Sequence, residues 1–326
     1  MERAQRWLRT EGTGMISLYK SFGREMRQVD ELTPGTWVEL TSPTAEEARE
    51  IAETLGIDQD DVLAAIDPEE KARIQSEDDY TLIVVDMPAR EERHHVQAYN
   101  TIPLGIILAS ENVITVCAEE TSVLSSFRSM RIRDLSTENR LAFVYRIMLR
   151  IALRYQQVLA NIDRTRMEFE ERIEQVEGER DLIRLHELES TLVYFSTSLR
   201  GNANVLSRLT RYGHLQRPED RDILDDAIIE NQQAIEMAQI YREIIDGTRE
   251  LVSTLLDSRL NNVMERLTSI TIVLSIPTVI SGAYGMNVAG EWMPFSDTPH
   301  GFLIINLITM IACVAIAIML KNRRVL

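Results

Sequence analysis

The chain has 326 residues, with 35 Lys and Arg against 51 Asp and Glu, a formal net charge of −16. That balance argues against a non-specific nucleic-acid binder, whose phosphate contacts need a surplus of Lys and Arg, and suits a protein that handles cations. The two cysteines, Cys117 and Cys313, make neither a disulfide framework nor a zinc knuckle, and fit a reducing compartment for the soluble part.

The charged stretch Met1–Thr13 has no apolar core of the kind a secretory signal needs. From residue 14 to residue 120 short segments alternate. Thr36–Leu40, Thr81–Met87, His95–Asn100, Ile102–Ala109 and Val113–Ala118 are rich in β-branched and apolar residues and read as strands. Ala45–Leu55 and Asp60–Ala65 read as helices, and Thr44-x-x-Glu47 before Ile51 has the form of a capping box. Residues 1–136 are therefore expected to form an α/β domain.

Beyond Thr137 the pattern changes. Asn139–Gly178, Asp181–Tyr212 and Glu219–Gly282 carry apolar residues at spacings of three and four and read as long helices. Their lengths predict an extended bundle or coiled coil: long antiparallel helices over 137–217 and a stalk helix over 218–266.

Two runs without a single charge follow, Leu267–Gly290 and Phe302–Leu320. About 20 apolar residues cross a bilayer core as a helix, so transmembrane helices are expected over 267–287 and 302–320. The loop 288–301 carries Glu291 and Asp297 but no Lys or Arg, whereas Arg259 and Arg266 precede the first span and Lys321, Arg323 and Arg324 follow the second. The positive-inside rule then places both termini and the soluble domain in the cytoplasm, with 321–326 as a basic cytoplasmic tail and the loop outside. The expected fold is an α+β membrane protein of the cell (plasma or inner) membrane.

Two spans per chain cannot enclose a water-filled pore, so a pore demands several copies around an axis and a polar stripe with a repeat near seven. Such a stripe exists. One row reads Thr254, Asn261, Thr268, Ser275, Gly282; the second reads Glu250, Asp257, Met264, Thr271, Thr278. Together they form the a/d seam of a heptad repeat. Small polar residues also serve plain helix packing in membranes. Glu250 and Asp257 weigh against that reading, because rings of like charge on a symmetry axis are costly unless cations or water fill it.

The first span ends in Tyr284-Gly285-Met286-Asn287 and is entered through Asn261-x-x-Met264-x-x-Leu267-Thr268. With these motifs the chain resembles the CorA family of magnesium transporters, specifically from about Glu250 to the C-terminus and in architecture throughout. The resemblance implies a homopentamer with a cytoplasmic α/β funnel, a stalk helix and a first span lining the pore. It implies a selectivity filter of Gly285, Met286 and Asn287, and pore lining by Asn261, Met264 and Thr278 with Leu267, to which the heptad seam adds Thr268, Thr271, Ser275 and Gly282. Met264 with Leu267 would form a hydrophobic constriction, and Glu250 and Asp257 cytoplasmic acidic rings. It also implies regulatory Mg²⁺ between subunits at Asp226. The partner acid of the family falls at Ala64 here, within Val62-Leu63-Ala64-Ala65-Ile66-Asp67, so Asp61, Asp67, Glu69 or Glu70 would have to substitute. Expected partners are further copies of the chain, the bilayer and divalent cations. Mg²⁺, with Co²⁺ or Ni²⁺, is the expected cargo, without an organic cofactor.

Other constellations carry less. His94-His95 point to opposite faces of a strand and converge poorly on a metal. No G-x-S-x-G elbow and no G-x-x-x-x-G-K-[ST] loop is present, which speaks against a hydrolase and an ATP-driven pump. The acidic run from Asp163 to Glu179 is interspersed with Arg and reads as a solvated helix face. Two rival functions remain: a Zn²⁺ transporter of the same superfamily, and a membrane-anchored coiled-coil scaffold that conducts nothing.

Overall fold

The computed structural model describes residues 15–23, 25–93, 96–129, 135–173, 179–211, 217–286, 293–295 and 298–322. The stretch Met1–Thr13 and the pair His94-His95 lie outside them. The chain packs as two units, Met1–Arg249 and Glu250–Leu326.

The strands are β1 (Met15–Phe22), β2 (Glu25–Gln28), β3 (Trp37–Thr41), β4 (Arg73–Ser76), β5 (Tyr80–Arg93), β6 (Val96–Ala109) and β7 (Val113–Cys117). Among the described residues they form one seven-stranded sheet in the order β2-β1-β3-β7-β6-β5-β4. Only β3 and β7 run parallel; every other neighbouring pair is antiparallel. Side chains alternate between faces at a period of two, and both faces are covered, as the near-continuous apolar runs of the central strands require. Leu18, Val38, Leu40, Leu82, Val84, Ile107, Ile114 and Val116 point to one face, where they meet Ala48, Ile51 and Ala52 of α1 (Ala45–Leu55) and Val62 of α2 (Gln59–Leu63).

Helix α1 starts where the sequence says it should. Thr44 accepts a hydrogen bond from the Glu47 backbone at 3.3 Å, and the Glu47 carboxylate accepts one from the Thr44 backbone at 2.8 Å, which satisfies two otherwise orphaned donors and contributes about 1 kcal/mol. It stops at Gly56, whose φ of 69° lies in the left-handed region that glycine tolerates and lets its N–H reach the Ala52 carbonyl.

The opposite face is covered by α3 (Ser122–Arg128), α4 (Arg140–Glu170) and α5 (Glu179–Leu209). Trp37, Phe127 and Phe143 stack there with ring centroids 5.3–6.3 Å apart, and the Trp37 indole donates to Thr115 Oγ1 at 2.8 Å. Helix α5 is tied to the strands by polar side chains. Asn202 brackets Asp86, accepting from its N–H at 2.9 Å and donating to its carbonyl at 2.8 Å, and Thr191 donates to the Tyr99 carbonyl at 3.1 Å. Length alone predicted an extended bundle; α4 and α5 instead lie on the sheet as its second helical layer.

Helix α6 runs from Pro218 to Tyr284 and α7 from Gly301 to Asn322. In the first unit α6 docks through Asn139 to Asp220 at 2.8 Å, Gln156 to the Glu230 carboxylate at 2.6 Å, and Asn231 to the Leu199 carbonyl at 3.0 Å. Its C-terminal part and α7 are each long and apolar enough to cross a membrane.

The strands differ from the sequence reading in extent. The expected segments 95–100 and 102–109 are one strand, β6, and β5 continues six residues past Met87 to Arg93. β1, β2, β4 and α3 were not anticipated.

Candidate functional site

The heptad seam belongs to the surface that the second unit leaves open, together with apolar positions of α6 such as Leu260, Val263, Ile270, Leu274 and Val279. Glu250, Thr254, Asp257, Asn261, Met264, Leu267, Thr268, Thr271, Ser275, Thr278, Gly282, Gly285 and Met286 are all exposed. On the other side of α6, Ser269 is buried and Val273, Ile276, Ile280 and Tyr284 are half-buried. At 100° per residue the seam lies roughly 150° from that covered stripe. The stripe meets α7 at Cys313, whose Sγ–H donates to the Val273 carbonyl at 3.7 Å.

That contact has a covalent cause. Pro277 lies inside α6 and has no N–H, so the carbonyl four residues back, that of Val273, loses its intrahelical donor. In a membrane a freed carbonyl must be satisfied by a neighbour, and the Cys313 thiol of α7 fills that place.

The hydroxyls of the seam share one geometry. Thr254, Thr268, Thr271 and Thr278 donate to the carbonyls of Glu250, Met264, Leu267 and Leu274 at 2.9, 2.7, 2.8 and 3.1 Å, and Ser275 donates to Ile272 at 2.8 Å. A hydroxyl has one proton and two acceptor lone pairs. With the proton committed to the helix's own backbone, each hydroxyl turns acceptor capacity outward. Asn261, Glu250 and Asp257 add amide and carboxylate oxygens to the same row. The seam is therefore suited to cations and to the outward-pointing protons of a hydration shell.

At the end of α6 the Gly285 N–H reaches the carbonyls of Ser281 and Gly282 at 2.9 and 3.2 Å. A Cβ at Gly285 would come within 3.3 Å of the Ser281 carbonyl oxygen, a tight approach that favours glycine. Tyr284 Oη donates to the Pro294 carbonyl at 2.8 Å, which ties the segment 293–295 to the helix end. Asn287, Glu291 and Asp297 lie outside the described residues, as do Arg323 and Arg324 of the basic tail.

The family model of the CorA-like Mg²⁺ transporter proteins matches residues 35–323. This chain belongs to the CorA family. It is 26% identical to the cobalt/magnesium transport protein CorA of Methanocaldococcus jannaschii over 296 residues, covering 88% of this chain and 90% of that one. It is 22% identical to the protein of the same name from Thermotoga maritima over 305 residues, covering 90% and 84%. Its fold matches the complete structure of the CorA magnesium transporter from Methanocaldococcus jannaschii with a TM-score of 0.78 at 22% identity, over 94% of this chain and 97% of that one.

The seam of this CorA-family chain extends further than the sequence reading took it. Counting down in sevens from Glu250 and Thr254 gives Glu243, Glu236, Ile229 and Asp222 in one row, Gly247, Ile240, Gln233 and Asp226 in the other, and all are exposed in the first unit. The signal for Glu243, Glu236 and Asp222 was present in the heptad count, which simply needed to be carried below residue 250.

The expected regulatory acids are placed separately. Asp61 accepts a 2.6 Å hydrogen bond from Tyr80 Oη; burial, then this bond, push the Tyr80 phenol up to about 12. Asp67 accepts from the Glu69 N–H at 2.9 Å and so shapes the turn after α2, and Asp226 is exposed on α6. Among the described residues no group of three or more His, Cys, Asp or Glu converges as a metal cluster. The carboxylate chemistry of these residues suits Mg²⁺. Within the acidic run, Asp163 and Glu170 pair with Arg166 at 2.8 and 2.7 Å, an internal use more specific than the solvated face expected. Glu174 and Glu177 lie outside the described residues.

Proposed function

We propose that this chain is a divalent-cation channel that admits Mg²⁺, and also Co²⁺ or Ni²⁺, passively across the cell membrane. It acts as a homopentamer with both termini and the α/β unit in the cytoplasm. The observation that carries this reading is the α6 seam: exposed along its length, turned away from α7, and presenting oxygen acceptors whose own protons are already engaged. Copies of that seam around an axis make a wet tunnel lined by acceptors.

Mg²⁺ demands octahedral geometry and gives up its waters reluctantly. Seam hydroxyls, Asn261 and the filter Gly285-Met286-Asn287 would bond to those waters rather than replace them. Glu250 and Asp257 would concentrate cations at the cytoplasmic mouth, and Met264 with Leu267 would form a constriction able to gate by dewetting. The membrane potential supplies about 2.3 kcal/mol per charge per 100 mV, doubled for a divalent ion. Internal Mg²⁺ held between Asp226 of one copy and Asp61 or Asp67 of the next would favour the closed state by mass action.

Metal flux into proteoliposomes tests the reading. Mg²⁺ and Co²⁺ should enter faster than Zn²⁺, Asn287→Ala should abolish uptake, and raising internal Mg²⁺ should slow it. Faster Zn²⁺ entry would replace the cargo. A chain that passes none of the three ions is a scaffold.

A further inference from the structure

We infer that the flank of α4 carrying Arg146, Arg150 and Arg154, together with Arg90 of β5, binds a phosphate-bearing anion. The inference stands apart from the ion pathway and concerns only the first unit.

The starting point is a local reversal of charge. In a chain with 51 acids against 35 Lys and Arg, the stretch from Arg140 to Ile162 contains four arginines and no acid at all. Three of them, Arg146, Arg150 and Arg154, follow one another at intervals of four and so stack on one flank of α4. Like charges at that spacing destabilise a helix, and acids at the intervening positions would have relieved them. Helix α4 packs on β5, which adds the exposed Arg90 from the strand, opposite Tyr99 of β6.

Several arginines elsewhere in this unit have acid partners: Arg73 pairs with Glu70 at 2.5 Å, Arg93 with Glu91 at 2.6 Å and Arg166 with Glu170 at 2.7 Å. Among the described residues Arg90, Arg146, Arg150 and Arg154 form no ion pair. Arg154 is the most constrained. Its Nε is buried without a hydrogen-bond partner, and its guanidinium otherwise reaches only Gln157 Oε1, at 3.4 Å. Burial, then the positive charges of Arg90 and Arg150, hold it below the ordinary arginine value. The acid-rich helix α6 offers no relief, because it meets α4 at Gln156, roughly 160° around the helix from Arg154.

A buried guanidinium donor without an acceptor, inside a cluster of repelling cations, calls for an anion. The guanidinium fork matches the oxygens of phosphate in bidentate fashion. Several neighbouring forks match the multiple charges of a phosphate or diphosphate better than the single charge of a carboxylate.

The test uses the full chain with divalent ions chelated, so that metal capture by the ligand cannot intervene. Inorganic pyrophosphate is titrated calorimetrically into protein in phosphatidylcholine nanodiscs. In a second arm phosphatidylglycerol is introduced into the discs and the melting temperature is read. Saturable pyrophosphate binding, weakened about tenfold or more in Arg150→Gln, supports a soluble anion. A melting temperature raised by phosphatidylglycerol in the wild type but not in Arg150→Gln supports the same site with a lipid headgroup as its source. Arg90→Gln, at an exposed strand position, repeats both readouts should Arg150→Gln fold poorly. No response in either arm, or variants that respond as the wild type does, overturns the inference.

Discussion

In the first unit Thr191 donates to the Tyr99 carbonyl and Ser198 to Thr101 Oγ1, each at 3.1 Å, while Thr115 receives the Trp37 indole. These bonds join residues 78 to 97 positions apart in the chain. In the second unit Thr254, Thr268, Thr271, Ser275 and Thr278 reach no further than their own helix, three or four residues back. The same side-chain chemistry thus serves two ends. Buried hydroxyls must be partnered for the fold to stand, and those of the first unit fix α5 to β6 and β3 to β7. The exposed hydroxyls of the second unit bond only within their own helix and tie no two elements together.

The contrast can be broken by substitution, and the largest effect belongs to the first unit. Phe143→Ala removes a ring packed between Trp37 and Phe127 and should cost about 3–5 kcal/mol of stability, seen as a lowered melting temperature of the full chain in detergent. Ion flux per folded molecule should remain. In the second unit the order reverses. Thr271→Val combined with Thr278→Val should reduce Mg²⁺ flux about tenfold with little change in melting, whereas Ser269→Ala, on the stripe covered by α7, should leave flux intact. Equal losses from the seam and the covered stripe would erase the distinction.

The smallest effect sharpens the role of buried polar groups. Asp86 is pushed up to about 6, from an ordinary 3.8, by burial that outweighs the opposing influence of the neighbouring Ser198 hydroxyl. The folded chain therefore holds an extra proton between those two values, and stability rises as pH falls through that window. Above 6 both states are ionised and the folded state carries the full cost of the buried charge. Asp86→Asn should accordingly melt higher than the wild type at about pH 8, with the advantage shrinking through 6 and gone below 3.8. Melting curves of both proteins across that range check it.

What could be read from the residues was whatever depends on near neighbours. The capping box at Thr44 needs four positions, the two uncharged runs need twenty, and the seam needs only a count of seven. The strands were harder because their limits depend on distant partners. Pro88 stands just past the expected strand Thr81–Met87 and Pro103 inside the expected strand Ile102–Ala109, and β5 and β6 pass through both. Pro88 lies beyond Val84, where the pairing with β4 ends, and Pro103 lies one residue before Leu104, where the pairing with β7 begins. Neither missing N–H therefore breaks a bond to the outer neighbour. β2 and β4 are short, largely polar edge strands with no apolar alternation to announce them. The docking of α5 rests on Asn202 and Thr191 meeting strand residues 116 and 92 positions away, contacts that no local pattern reveals. The same holds for the arginine flank of α4, where the reversal of charge was visible but its lack of partners was not.

The link between Cys313 and the carbonyl freed by Pro277 joins the two apolar helices at the one level where α6 has surrendered a rung of its own ladder. A helix with a missing rung bends there more readily than elsewhere, and the thiol supplies a soft clasp in place of the rung. Any swivel of the seam about that level must release the clasp or carry α7 along. The clasp thus links α7 to α6 at the level of Pro277.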